Sequence, residues 1–449
     1  MSSRDATRAL LDILRGRRSR RFGLGMSMPS GPLAYKSSHA PVRLTEEEEA
    51  ILAFAACGVT GYALADLMYE RGGGGTIMSR LLARTIPSGD AAQAVALIVM
   101  NADATYYLKR PQDYAPEEIP ELVDLAAREQ YVELYRRSRV KIRDGRTSPP
   151  PDPLFNLDCN RWSLHDPAGT YFLPVNELTW LYINGILEIF NETNNVYVVD
   201  ERADFQPAGL KRYAKSRGGH LDDDAANGRV VTIQQLETFV TEFVTAEFGM
   251  MIQNLALMVH AMGLGGFPHW AAHAFGWFEA LRFDMGSMPA SRYLGMGRVL
   301  STLSRWLGRD TPVPYVQGLT VDGKPLMTPM CPPHYPSMEA AVRALVDAKV
   351  GANGIFRGGA SNSSWRDASA VADACPALSD ANVDAAIAYC EYVWDRYGRF
   401  PAYQPPFRTL LGFQVNHLDC EFYDAHYKPG AVTENQRRHM QEWHASDVR

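Results

Sequence analysis

A chain of 449 residues is long enough for two or three domains. Its 46% hydrophobic and 21% charged content excludes a disordered or fibrous chain. A net charge of −6 argues against a general polyanion binder, and no apolar run reaches the roughly 18 residues that cross a bilayer, so neither nucleic acid nor membrane is an expected partner.

Residues 4–15 (RDATRALLDILR) predict an amphipathic helix with Ala6, Leu10, Ile13 and Leu14 on one face, stopped by Gly16. The next stretch, GRRSRRF (16–22), sets arginines around Ser19 with no acid among them. Guanidinium forks match phosphate oxygens and never lose charge, so this is either a compact anion site or a solvated basic turn. Residues 23–43 are loop, and Pro29, Pro32 and Lys36 break the apolar region that a twin-arginine export signal would need. In LTEEEEAILAFAACGVTG, Thr45 is the expected N-cap and Glu48 completes a capping box. The acidic run reads as a solvated helix start matched to the dipole, and Gly58 ends the helix.

RGGGGTIMSR (71–80) lacks the Gly-Lys-Ser/Thr ending of a phosphate loop and reads as flexible chain. AVALIVMN (94–101) is a continuous apolar run of strand length, expected in a sheet buried on both faces, and TYYLK follows as a second strand or its continuation. Residues 111–174 are rich in proline, with few periodic segments, and read as an insertion. VYVVD (196–200) is a short strand, and residues 201–230 a polar excursion. The longest helical signal runs from Thr232 to Met262, apolar on nearly every side in its second half, and closes at Gly263. Further helices are expected at 337–349, 379–397 and 433–444, with a mobile loop at 351–365. The cysteines (Cys57, Cys159, Cys331, Cys375, Cys390, Cys420) form no C-x-x-C pair, which suits a reducing cytoplasm and argues against a disulfide or structural zinc framework.

Taken in order, R-R-S-x-R at 17–21, G-V-T-G at 58–61, R-T-x-P-S-G-D-A at 84–91 and the helix FGMMIQNLALMVHAMGLGGF resemble the FMN-dependent nitroreductase superfamily. The nearest branch is the azoline dehydrogenases of thiazole/oxazole-modified peptide biosynthesis. In the helix, Gln253, Asn254, Leu255, Gly263, Leu264 and Gly265 stand at the matching positions. The resemblance covers roughly 8–110 and 232–283. It implies an α+β fold in which a mixed sheet is flanked by helices around a long central buried helix. The flavin domain would be 1–110 with 175–290, interrupted by 111–174 and followed by a mainly helical extension at 291–449.

It also implies a homodimer that binds FMN at the subunit interface and passes a hydride to or from a small organic substrate, with NAD(P)H as electron donor. Arg17, Arg18, Ser19 and Arg21 would hold the phosphate. Pro87, Ser88, Gly89 and Asp90 would approach the ring, with Gly265 and Gly266 beside it. Asp90 departs from the family's usual residue and would put an acid near an electron-rich ring. Lys211 and Tyr213 match the dehydrogenase branch's Lys-Tyr pair only loosely, so no catalytic role is assigned to them. The family's late basic phosphate ligand has Arg399 and Arg408 as candidates.

Outside the resemblance, His417, Glu421 and Asp424 share a helical face compatible with a metal, but a polar segment stabilised by its own pairs is the preferred reading, and no metal is assigned. His260 reads as a satisfied core residue. His269 and His273 lie near the expected flavin pocket, and Cys331 lacks a histidine at any defined spacing. Two other readings remain open: a flavin fold that has lost its cofactor and acts as a binding protein, and a metal-dependent enzyme centred on 417–426.

Overall fold

The computed structural model describes residues 2–70, 77–148, 158–164, 166, 168–270 and 274–445. The loop expected at 71–80, His273 and the triple proline at 149–151 lie wholly or partly outside them. The architecture is α+β. Strands β1 (Val95–Met100), β2 (Ala104–Leu108), β3 (Arg139–Asp144), β4 (Thr170–Glu177), β5 (Gly265–Trp270) and β6 (Leu411–Asn416) lie in the order β5-β6-β4-β1-β2-β3, and the short strand Phe407–Arg408 also pairs with β4.

Every neighbouring pair in this sheet is antiparallel, which corrects the expected mixed sheet. Among the described strands, the parallel pairing joins Tyr197–Asp200 to Val230–Thr232, in a separate small sheet.

The apolar run of β1 reflects two cores, one on each face. Val95, Leu97 and Val99 point into the helix-side core. Ala96, Ile98 and Met100 point into a second core with Trp277, Phe278, Leu281, Val316 and Leu319. The period-two alternation of a strand thus serves both layers, as burial on both faces demands.

Residues 111–174 are not an insertion. They carry helices Ile119–Ala127 and Tyr131–Ser138, edge strand β3 and the first half of β4. Pro174 helps hide β4 from a reading of periodicity, since proline cannot donate to a ladder. It is tolerated because β6 pairs with residues 170–172 and Phe407–Arg408 with 176–177, so Pro174 falls between the two on that side. The region after 290 is likewise more than a helical extension. It completes a sheet of Asp284–Pro289, Pro312–Val321 and Lys324–Met327, and its β6 lies inside the main sheet.

Helix α1 (Ser3–Gly16) has the predicted amphipathic pattern but buries none of its side chains. In α2 (Glu46–Cys57) the Thr45–Glu48 capping box forms as expected. The acidic run is solvated only in its first half, however: Glu47 is exposed and Glu46 half-buried, but Glu48 and Glu49 are buried, and Glu49 accepts hydrogen bonds from Asn101, Tyr135 and Thr170. Residues 201–230 include polar loop but also place Ala208, Leu210 and Leu221 in the helix-side core. The segment 351–365 is tied down, with Phe356 fully buried, its N–H donating to the Lys349 carbonyl, and Ser364 Oγ donating to the Ala63 carbonyl.

Helix α3 (Ile233–Met262) is the predicted central element. Thr232 caps its start, and Gly263 ends it at φ +84°, a left-handed conformation that favours glycine. Phe248, Met251, Ile252, Leu255 and Val259 are buried against the sheet. Leu255 is fully enclosed, so Leu255→Ala is expected to cost about 2–5 kcal/mol by emptying a packed site. A denaturation midpoint equal to that of the parent protein would remove α3 from the core.

Candidate functional site

Extended backbone after α1 sorts the arginines by side. Arg20 and Phe22 turn inward and are buried, while Arg17, Arg18 and Ser19 are exposed and Arg21 is half-buried. The segment is held against the sheet: Arg20 bridges to Gly266 of β5, and Gly23 to Leu418 just after β6. Arg20 is structural. Its Nε donates to the Ala431 carbonyl at 2.7 Å, and burial lowers its pKa. Arg21 donates to Asn160 Oδ1 at 2.8 Å and lies over the Phe267 ring. Arg18 reaches the carbonyls of Arg15 and Gly16, where it satisfies the C-terminal end of α1.

Beside these residues lies a pocket of about 750 Å³, lined by Arg18, Ser19, Arg20 and Arg21 together with Phe22, Trp162, Phe422 and Tyr423. That volume is in the range of small-molecule and cofactor sites. Its aromatic wall is ordered, with the Phe22 and Phe422 rings stacked at 4.2 Å. The donors suit an anion and the rings an unsaturated or apolar body. His260, at the end of α3, sits against Gly16, and its pKa is lowered by burial and then by Arg20, Arg18 and Arg17. Its Nδ1 is buried without a hydrogen-bond partner, so the expected satisfied core histidine is corrected.

The second expected group lies elsewhere on α3. Ser88 Oγ donates to Glu247 Oε2 at 2.8 Å and accepts from the Gln93 N–H. Gly89 faces Phe243 so closely that an added Cβ would come within 3.2 Å of the ring, and Pro87 is exposed. Asp90, at φ +52°, accepts from Asn184 Nδ2 at 3.0 Å, and burial raises its pKa. Its neighbours are therefore the buried Asn184 and Lys349. From Glu247 to His260 the helix rises by about 20 Å at about 1.5 Å per residue. One chain does not bring Pro87–Asp90 to the arginines.

Gly265 and Gly266 are required by packing. A Cβ on the first would strike Leu418 and Asn416, and on the second Phe413. Arg399 donates to the Tyr293 carbonyl, and neither it nor Arg408 lines the arginine pocket. His269 bonds the Tyr171 hydroxyl at 3.0 Å. Cys331 is buried, which pushes its thiol pKa up and makes it a poor nucleophile.

The expected trio of His417, Glu421 and Asp424 does not converge, although Asp419 and Glu421 approach His39 at the surface. Helix α4 (Cys420–His426) directs Glu421 to His39, Asp424 to Arg437, and His426 onto Tyr35 and Phe422. His417 turns inward to Glu48, where it meets His439 of α5 (Glu434–Trp443) and His444. The donor atoms of these four buried residues lie within 4.8 Å of one another. Burial would raise the Glu48 pKa, but His417 and His439, when their rings are protonated, outweigh it and hold the carboxyl well below the usual range. No short spacing in the sequence announces this cluster. The H-x₄-H pair at 439 and 444 is its only local trace.

No protein-family model and no curated protein matches the chain. A solved structure similar to it, from Ralstonia eutropha JMP134 and provisionally assigned as a nitroreductase, is 14% identical over 61% of this chain and 76% of that one, at a TM-score of 0.27. A likeness that loose leaves the site to be read from its own residues. Among the described residues, no helix is long and apolar enough to cross a membrane.

Proposed function

We propose that the chain is a flavin-dependent oxidoreductase that carries out two-electron hydride transfer through FMN on a small organic molecule, with NAD(P)H as the donor. The observation that carries this reading is the arginine pocket, where exposed cationic donors and a hydroxyl border an aromatic-walled space of cofactor size. Arg17, Arg18, Ser19 and Arg21 would hold the phosphate. Arg20 fixes the strand that presents them, by its bond to Ala431. The bound flavin would supply hydride transfer at its ring. The chain's part is to neutralise the phosphate, orient the ring against the aromatic wall and limit water around it.

The distance between the arginines and Pro87–Asp90 supports a homodimer, in which one protomer's loop completes its partner's pocket. Exposed apolar surface accompanies both groups: Leu10, Leu11 and Leu14 on α1, and Phe239 and Phe243 on α3 beside Gly89. Protein purified and then saturated with FMN is expected to keep about one flavin per chain after desalting, read from visible absorbance, and to sediment as a dimer. Protein that retains no flavin after saturation would sink the proposal.

A further inference from the structure

The cluster at Glu48 needs a positive charge that its neutral histidine rings do not supply. His417 Nδ1 lies 3.0 Å from the Val42 carbonyl and His439 Nδ1 lies 2.7 Å from the Met262 carbonyl. A carbonyl only accepts, so each Nδ1 carries the proton. In the neutral ring the lone pair then sits on Nε2. Both Nε2 atoms point at one carboxylate oxygen, with His417 Nε2 at 3.1 Å and His439 Nε2 at 2.9 Å from Glu48 Oε1. His444 Nε2 joins them, 3.3 Å from the same oxygen and 3.0 Å from His417 Nε2.

His439 Nε2 has no hydrogen bond although its ring is only 2% exposed. The carboxylate cannot turn away, because the capping box occupies its other oxygen: the Thr45 N–H and hydroxyl donate to Glu48 Oε2 at 2.6 and 3.0 Å. Lone pairs therefore converge on a buried anionic oxygen, and a positive charge belongs among them.

We propose that Glu48, His417, His439 and His444 bind one divalent transition cation of the zinc type, in a closed four-coordinate structural site. A tetrahedral zinc with bonds of about 2.0–2.1 Å places its ligand atoms roughly 3.3 Å apart. The spacings of 2.9 to 3.3 Å around Glu48 Oε1 are close to that edge. Three imidazoles and one carboxylate select a borderline transition ion over magnesium or calcium, which favour oxygen donors.

The backbone carbonyls on the two Nδ1 atoms are the outer partners that fix ring tautomer in metal sites. Burial of all four side chains leaves no open position, so the site is structural and not catalytic. It would clamp α5 and the residues after it to the start of α2. It also touches the arginine segment, since the Leu24 N–H donates to the His417 carbonyl.

Cobalt(II) serves as the probe. Chelator-treated full-length protein is expected to take up one equivalent with the intense visible bands of four-coordinate cobalt, and zinc(II) should displace it one for one. Either ion should raise the melting temperature, while magnesium(II) leaves it unchanged. His439→Gln and His444→Gln should each weaken cobalt binding by at least about tenfold, while His220→Gln, outside the cluster, binds as the parent does. Absence of cobalt uptake by the parent protein, with stability set instead by proton uptake on the histidines, would overturn the site. So would unchanged binding in both cluster variants with the parent's circular dichroism. If either variant fails to fold, the parent's stoichiometry and spectrum decide.

Discussion

Replacing Glu247 by alanine is expected to cost about 3–5 kcal/mol of folding stability, the range for stranding one partner of a buried ion pair. Glu247 and Arg84 have side chains 1% and 2% exposed, with Arg84 Nη2 donating to Glu247 Oε1 at 2.6 Å. The same carboxylate accepts from Ser88 Oγ and from the Val95 N–H, so its removal leaves three donors short. Burial raises the Glu247 pKa, while Arg84, Ser88 and Val95 all favour its ionised form. The double replacement Arg84→Met, Glu247→Leu should recover most of the loss, because no buried charge is left behind. Urea denaturation of the parent, both single variants and the double closes the cycle. A Glu247→Ala cost below about 1 kcal/mol would mean the pair is not buried in solution.

The second large effect concerns the proposed cofactor. Arg17→Ala, Arg18→Ala in one chain should weaken FMN retention by roughly a hundredfold or more, since each charge-assisted contact contributes about 1.5–3 kcal/mol. Both residues are exposed, so the fold should stay close to that of the parent. Arg20→Ala provides the contrast. It removes a 3% exposed guanidinium from the Ala431 carbonyl and should lower stability before it changes anion recognition. Equal flavin occupancy in the double variant and the parent would take the arginines out of the site.

What the sequence disclosed, and what it concealed, follows from the range of each interaction. The Thr45 cap, the Gly263 terminus and the apolar strand at 95–100 are local patterns and could be read directly. The double role of Glu48 could not. One oxygen serves a capping box three residues away, while the other meets histidines almost four hundred residues further on. Polarity misled in the same way at Glu49, whose partners come from Asn101, Tyr135 and Thr170. Strand β4 was obscured by Pro174, and β6 by Gln414, buried at the centre of a six-residue strand. The glycines at 265 and 266 were legible as constrained positions, but only the packing of β6 identifies the constraint as protein against protein.

The position of β6 also sets the order in which the molecule can be built. It lies between β5 and β4, although both are synthesised long before it. Until residues 411–416 leave the ribosome, β4 and β5 keep facing edges with unpaired N–H and C=O groups, flanked by apolar side chains meant for two cores. Such edges template pairing with other chains, and closing them requires contacts of high sequence separation, which form slowly. A nascent or truncated chain lacking β6 is thus a half-sheet with a slot the width of one strand, open to any extended segment nearby. Yield in a cell should depend on how well that slot is shielded during synthesis, by chaperones or by low temperature, more than on the stability of the finished protein.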